Sequence, residues 1–382
     1  MIKDSLQRTI LLAVLGSITL MPLLVLPVMV GSFVDYLGLN ESEAGYLASA
    51  GFLGSAVAAI FVSLRVHHLD LRRLAYMGLV LMIVADSASG AAVHIPFWVL
   101  VGLRFVSGVG GAAAYASVMS AYAGWREPDR AYGLFMSFQF FFSAAGLYGL
   151  PWLLPGSGIS SLFALFALLD VMALLLVSRL PAMHERSGAG TGAPLEWRVI
   201  VAATSVMCLF GIGLFEAANM ANFTYSERIG LSFGLSSREI GVVLGASTVL
   251  GIPAAFGVFL LGSRCGRFVP IMAAALSQVT ALSLLLTGSN HVIYVMAMCL
   301  LAMGWAFALP YFQAIEAEID PGGSVVVAGG FATAFGGFAG PALAASLVSP
   351  GSYRTMIFAA MGAYFLVVIL MRLVTTRMTG FQ

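Results

Sequence analysis

Apolar runs of about twenty residues or more recur along the whole of this chain, long enough for a helix to cross a bilayer. Short breaks where charge, Pro, Gly and Asn cluster separate them. The run from His291 to Ile315, HVIYVMAMCLLAMGWAFALPYFQAI, holds no Asp, Glu, Lys or Arg. At about 1.5 Å of rise per residue, a helix of that length crosses the roughly 30 Å of hydrocarbon in a bilayer. Few folds tolerate such runs. With 60% of 382 residues hydrophobic and 9% charged, a soluble fold would have to face water with grease. A membrane β-barrel needs alternating strips of about ten residues, whereas these runs are continuous. The chain therefore reads as an all-α integral membrane protein.

Twelve segments fit the breaks: 9–36, 42–64, 73–93, 96–123, 130–153, 159–179, 198–224, 237–262, 268–288, 291–316, 323–348 and 353–375. The first follows Lys3 and Arg8 and resembles a signal peptide at its start. It runs apolar from Ile10 to Val34, too long for a signal core, and no small-residue cleavage site follows. The connections are short except RLPAMHERSGAGTGAPLEWR (179–198), which divides the chain six plus six. The expected organisation is a helical bundle over 1–180, a cytoplasmic linker over 181–197 and a second bundle over 198–382.

The basic residues orient the segments. With both termini in the cytoplasm, inner loops and tails hold Lys3, Arg8, Arg65, Arg72, Arg73, Arg126, Arg130, Arg179, Arg186, Arg198, Arg264, Arg267, Arg372 and Arg377. Outer loops hold Arg228, Arg238 and Arg354, and Arg104 falls within a span. That asymmetry obeys the positive-inside rule and fits a multi-pass protein with both termini cytoplasmic; the expected location is a bacterial inner membrane.

The halves echo each other. GLNESEAG (38–45) and GLSSREIG (234–241) share Gly, Leu, Glu and Gly at an offset of 196. In both, a capping residue (Asn40, Ser236) precedes a Glu three positions on (Glu43, Glu239), the pattern of a reciprocal helix cap in an outer turn. At an offset of 191, Asp129 matches Asp320, Gly146 matches Gly337 and Gly149 matches Gly340. Recurrence at the same topological place points to two pseudo-symmetric six-helix bundles.

Twelve spans, a six-plus-six split and a whole-chain repeat resemble the major facilitator superfamily. RFVSGVGGAAA (104–114) is similar to the family's fourth-helix pattern of an Arg followed by small residues. SAAGLYGLP (143–151) resembles its fifth-helix Gly-Pro motif in degraded form, and GGFAGP (336–341) is the better-preserved partner in helix eleven. The loop RVHHLDLRRL (65–74) keeps Arg72 and Arg73 of the family's signature but has His67 and His68 where the acid and its neighbour belong. The resemblance implies a secondary transporter that works by alternating access about a central site, with the helix-four Arg often linked to proton coupling.

Ionisable side chains at membrane depth usually mark pathways or proton relays. Asp35, Asp86, Asp170 and Glu216 qualify among the acids, and Arg104 among the bases. Asp86 and Arg104 lie at matching depth in the third and fourth segments. Their pairing either neutralises both and orders the bundle, or exchanges a proton for a solute. Glu216 opens EAANMAN, with Asn219 and Asn222 on the same broad helix face. This set reads as a solute or proton site, with an interhelical hydrogen-bond cluster as the alternative. Asp35 sits near an outer helix end, at the interface or in a gate, and Asp170 is the weaker candidate because helix six of this fold faces scaffold or lipid. Glu316, Glu318 and Asp320 read as a solvated inner cluster.

Arg104, Gly108, Gly111 and Tyr115 share one helix face, so Tyr115 is expected to reach the cavity. Gln139, set among five Phe residues in FMSFQFFFS (135–143), and Gln313, beside Trp305, Tyr311 and Phe312, need hydrogen-bond partners and are expected to face the interior. The expected cavity set is Tyr115, Gln139, Glu216, Asn219, Asn222, Trp305, Tyr311 and Gln313, and the proton-coupling set is Asp35, Asp86, Arg104 and Glu216. Cys208, Cys265 and Cys299 are odd in number and suit no disulfide framework. No metal spacing, phosphate loop or catalytic constellation stands out, so no cofactor, metal or enzyme activity is expected.

The expected function is secondary active transport of a small organic solute, with protons as the coupling ion and lipids as the surround. Net charge of +1 gives no reason for a nucleic-acid partner, and a monomer suffices. Four intramembrane acids against one Arg disfavour a multiply anionic solute. Alternatives are a gradient-independent facilitator or anion exchanger of the same fold, and a non-transporting sensor or scaffold.

Overall fold

Proline sets the outline of the first segment. Pro22 and Pro27 lack the amide hydrogen that would continue a helix and sit most easily in a first turn. The computed structural model accordingly breaks the segment into α1 (Leu6–Thr19), α2 (Met21–Leu24) and α3 (Leu26–Leu37), with a Pro in the first turn of α2 and of α3. The continuous helix expected over 9–36 is corrected to this broken one. The structure describes residues 6–65, 70–91, 95–123, 128–180, 196–262, 264–288, 290–320, 324–349 and 351–379. Lys3, His67, His68, Arg126, Arg186 and the linker residues 181–195 lie outside the described residues.

The next helices are α4 (Glu41–Arg65), α5 (Leu71–Ala91), α6 (Phe97–Ala123) and α7 (Pro128–Leu176). The long α7 is two segments joined at a bend, where Pro155 and Gly158 leave helical geometry, Gly158 at φ 68°. That bend falls between the segments read over 130–153 and 159–179. After the short α8 (Trp197–Ile200) come α9 (Ala203–Ser232), α10 (Ser237–Leu261), α11 (Phe268–Thr287), α12 (His291–Ile319), α13 (Ser324–Leu347) and α14 (Arg354–Thr379). Nine of the described helices are long and apolar enough to cross a membrane, while α1 and α3 are shorter apolar helices. Large apolar side chains point outward along them, among them Trp98, Phe141, Leu175 and Phe335, each more than 60% exposed. A solvent of lipid explains these where water does not.

The repeated turn is built the same way twice. Gly38 (φ 65°) and Gly234 (φ 82°) both take the left-handed conformation that L side chains avoid. After the first, Asn40 N–H donates to Glu43 Oε2 and Glu43 N–H to Asn40 Oδ1, both at 2.9 Å. After the second, Ser236 N–H donates to Glu239 Oε2 at 2.8 Å and Glu239 N–H to Ser236 Oγ at 3.4 Å. The sequence echo is thus an echo of backbone geometry. One expectation at this end changes. Helix α9 continues past residue 224 to Ser232, so Arg228 is not in an outer loop: it is buried in the helix and paired with Glu227 at 2.6 Å.

The chain divides into two compact units, Met1–Leu39 with Ala50–Gly192, and Asn40–Ser49 with Ala193–Gln382. In the first, α1 packs on α7, and α5 on α6 and α7. In the second, α9 packs on α13 and α14, and α11 on α12 and α14. The neighbour relations of one unit recur in the other in the same chain order. Leu12, Leu15, Leu79, Tyr122 and Phe135 centre the apolar core of the first unit. Arg8 and Arg72 close its basic end by donating to the carbonyls of Arg179 and Leu180, each at 2.8 Å. In the second unit, the first turns of α4 are held by Tyr225, which donates to the Glu41 carbonyl (2.8 Å), and by Tyr353, which donates to the Glu41 carboxylate (2.5 Å).

Candidate functional site

Small residues put the polar ones where they are. On α6, a Cβ at Gly108 would overlap the carbonyl of Gly51 in α4, and one at Gly110 the carbonyl of Gly78 in α5. The backbones therefore touch, and Arg104, one turn back, is carried into the interior between neighbouring helices. Its Nη2 donates to Asp86 Oδ1 at 2.5 Å and to Ser89 Oγ at 2.8 Å, both on α5. The ring of Phe163 on α7 lies 4.6 Å from the guanidinium carbon. The pairing read from matched depth is present, fully buried. Asp170, the weaker candidate of the sequence, belongs to this same cluster and lies within side-chain hydrogen-bond reach of Asp86.

The second unit uses the same device at a different place. A Cβ at Gly336 of α13 would overlap the carbonyl of Gly213 in α9 and crowd Glu216 Cβ at 3.0 Å, and one at Gly340 would overlap the carbonyl of Ala217. The GGFAGP stretch thus seats α13 directly on the part of α9 that carries Glu216. Glu216 is buried, and its Oε2 accepts from Trp305 Nε1 of α12 at 3.0 Å. Phe215 beside it packs on Phe312 and Tyr364 with ring centres 5.2 Å and 5.3 Å away. Asn219 and Asn222 are buried on the same helix. Asn222 Nδ2 donates to the carbonyl of Ala218 at 2.7 Å, while its Oδ1 is buried without a partner among the described residues. The carboxyl and the unpartnered amide oxygen are acceptors that can take an N–H or hydroxyl of a solute.

The other residues singled out in the sequence do not all gather here. Tyr311 is buried and donates to the carbonyl of Gly262 at 3.2 Å, tying α12 to the end of α10. Gln313 is exposed on α12, where Phe312 and Ile315 take the buried face. Tyr115 is half-buried against the apolar core of the first unit, its ring 5.9 Å from that of Phe135. Gln139 is half-buried on α7, and Asp35 is exposed in the last turn of α3. The solvated inner acid cluster is also corrected. Glu318 is exposed and pairs with Arg267 at 3.0 Å, but Glu316 is buried with its carboxyl against Gly329 of α13, and Asp320 is buried, accepting from the N–H groups of Ser324 and Val325. Gly329 leaves the space that Glu316 fills, a pairing across helices that no local pattern reveals. Among the described residues no three His, Cys, Asp or Glu side chains gather as a metal site would require.

The model of the Major Facilitator Superfamily matches residues 9–340. The chain belongs to the major facilitator superfamily. No curated protein matches it in sequence. Its fold is similar to that of the nucleoside transporter NupG, with a TM-score of 0.82 to a point mutant of that protein at 11% identity, covering 96% of this chain and 99% of that one. A second structure of NupG gives a TM-score of 0.76 at 12% identity with the same coverage. The superfamily member described here is thus an all-α, multi-pass membrane transporter of a small solute rather than an enzyme.

Proposed function

We propose that this protein is a proton-coupled secondary transporter of a small organic solute, neutral or singly charged, that works by alternating access in a bacterial inner membrane with both termini cytoplasmic. The observation that carries this reading is the bond from Trp305 Nε1 to the buried Glu216 carboxyl. A carboxyl at membrane depth can change its charge by taking a proton, and its solute-binding neighbours then meet a different electrostatic partner. The unpartnered Oδ1 of Asn222 on the same helix suits a solute N–H or hydroxyl. Trp305 supplies an aromatic surface for a ring. In this reading the Asp86–Arg104 pair takes part in coupling from the first unit.

NupG, which shares the fold, is a nucleoside transporter, so nucleosides are the first solutes to try. The test is uptake of labelled uridine and adenosine into proteoliposomes with and without an imposed pH gradient. The expected result is accumulation driven by the gradient, lost on adding a protonophore and lost in Glu216→Gln. Uptake that equilibrates alike with and without the gradient replaces this reading with a facilitator or exchanger.

A further inference from the structure

Three ionisable side chains meet inside the first unit: Asp86 of α5, Arg104 of α6 and Asp170 of α7, with exposures of 0%, 3% and 1%. Arg104 bonds Asp86 directly, and Asp170 lies within hydrogen-bond reach of Asp86. Two ionised carboxylates are both acceptors and have no hydrogen to share, so a bond between them requires a proton. The charge count agrees. One guanidinium neutralises one carboxylate, and a second carboxylate left ionised at this depth has nothing to pair with. Among the described residues, the groups around the cluster offer no other cation: α5 brings Asp86 and Ser89, α6 brings Arg104, α7 brings Phe163, and α3 brings Phe33, whose ring stacks on Phe163 at 6.3 Å. Within the cluster, Asp86 Oδ2, Asp170 Oδ2 and Arg104 Nε are all buried without a hydrogen-bond donor or acceptor facing them among the described residues. The set is polar, buried and incompletely bonded.

We infer that Asp86 and Asp170 form a proton-binding site of the first unit, the two carboxyls holding one proton between them beside Arg104. When Arg104 moves off Asp86, the proton has an acceptor within hydrogen-bond reach, so the arginine's position decides which carboxyl carries it. The use of that proton in transport rests on the proton-coupled reading above; its presence does not.

The test is infrared spectroscopy of the full-length protein in lipid at neutral pH, reading the carbonyl stretch of protonated carboxyl groups. Wild type is compared with Asp170→Asn, Asp86→Asn and Glu216→Gln. The expected result is that Asp170→Asn loses the intensity of one protonated carboxyl per molecule. Asp86→Asn loses it too, because Asp170 then ionises to pair with Arg104. Glu216→Gln keeps that component. Asp170→Glu retains a carboxyl and shifts the band instead of abolishing it, which serves if the Asn variant does not fold. Unchanged protonated-carboxyl intensity in Asp170→Asn overturns the inference, as does loss of the component in wild type on adding sodium ions, which would make the site a cation site. A band present at Asp170 together with gradient-independent uptake leaves this site standing and removes the coupling reading.

Discussion

Both units bury acids at membrane depth, yet they treat them differently. In the first, Asp86 bonds an arginine of a neighbouring helix, and Asp170 of a third helix lies beside Asp86. In the second, Glu216 is met by an indole hydrogen, and its helix carries an amide oxygen with no partner among the described residues. The means of bringing helices together is common to both: Gly108 on α6 and Gly336 with Gly340 on α13 let backbones touch. The architecture is repeated while the chemistry placed on it is not. A cation lets one unit bury two acids side by side. Glu216 is held by a neutral donor instead, and in the proposed reading this leaves it to respond to a proton or a solute.

That contrast can be broken by stability measurements in detergent. Asp86→Ala leaves Arg104 without its short bond, and loss of one partner of a buried pair costs about 3–5 kcal/mol. Glu216→Ala leaves the neutral Trp305 Nε1 donor without its acceptor, which costs about 1–3 kcal/mol. Equal losses in the two variants, read by denaturant titration, would erase the distinction between the units. Gly336→Ala is expected to cost about 1–3 kcal/mol by forcing α13 off α9, and to weaken uptake because it crowds Glu216 directly. A Gly330→Ala control has open space around it and should change little. The smallest effects test the repeated turn. Asn40→Ala and Ser236→Ala should each lose about 1 kcal/mol, and by similar amounts, since each removes one half of a reciprocal cap.

Much of the frame was legible in the chain because lipid demands long apolar helices, and charge, Pro and Gly must mark their ends. The paired caps at Asn40/Glu43 and Ser236/Glu239 were readable because capping is local. The Asp86–Arg104 pairing was readable because depth along two neighbouring helices can be counted. Asp170 was not, since the face it presents depends on the bend at Pro155 and Gly158 within α7. Glu316 reads as solvated from the sequence because its burial depends on Gly329 of another helix. Arg228 reads as a loop residue because a charged pair, Glu227–Arg228, interrupts the apolar pattern without ending the helix. Local signals reveal ends and depths; they do not reveal which face meets which neighbour.

The most direct measurement of the role given to Glu216 separates exchange from accumulation in proteoliposomes. Uridine exchange between the two sides needs no net proton movement, whereas uphill accumulation does. Glu216→Gln mimics the protonated acid and still accepts from Trp305 Nε1. It is predicted to exchange uridine at a rate close to wild type and to show no accumulation under a pH gradient. A variant that still accumulates uridine to the wild-type level under the same gradient would contradict the assignment of proton coupling to this carboxyl.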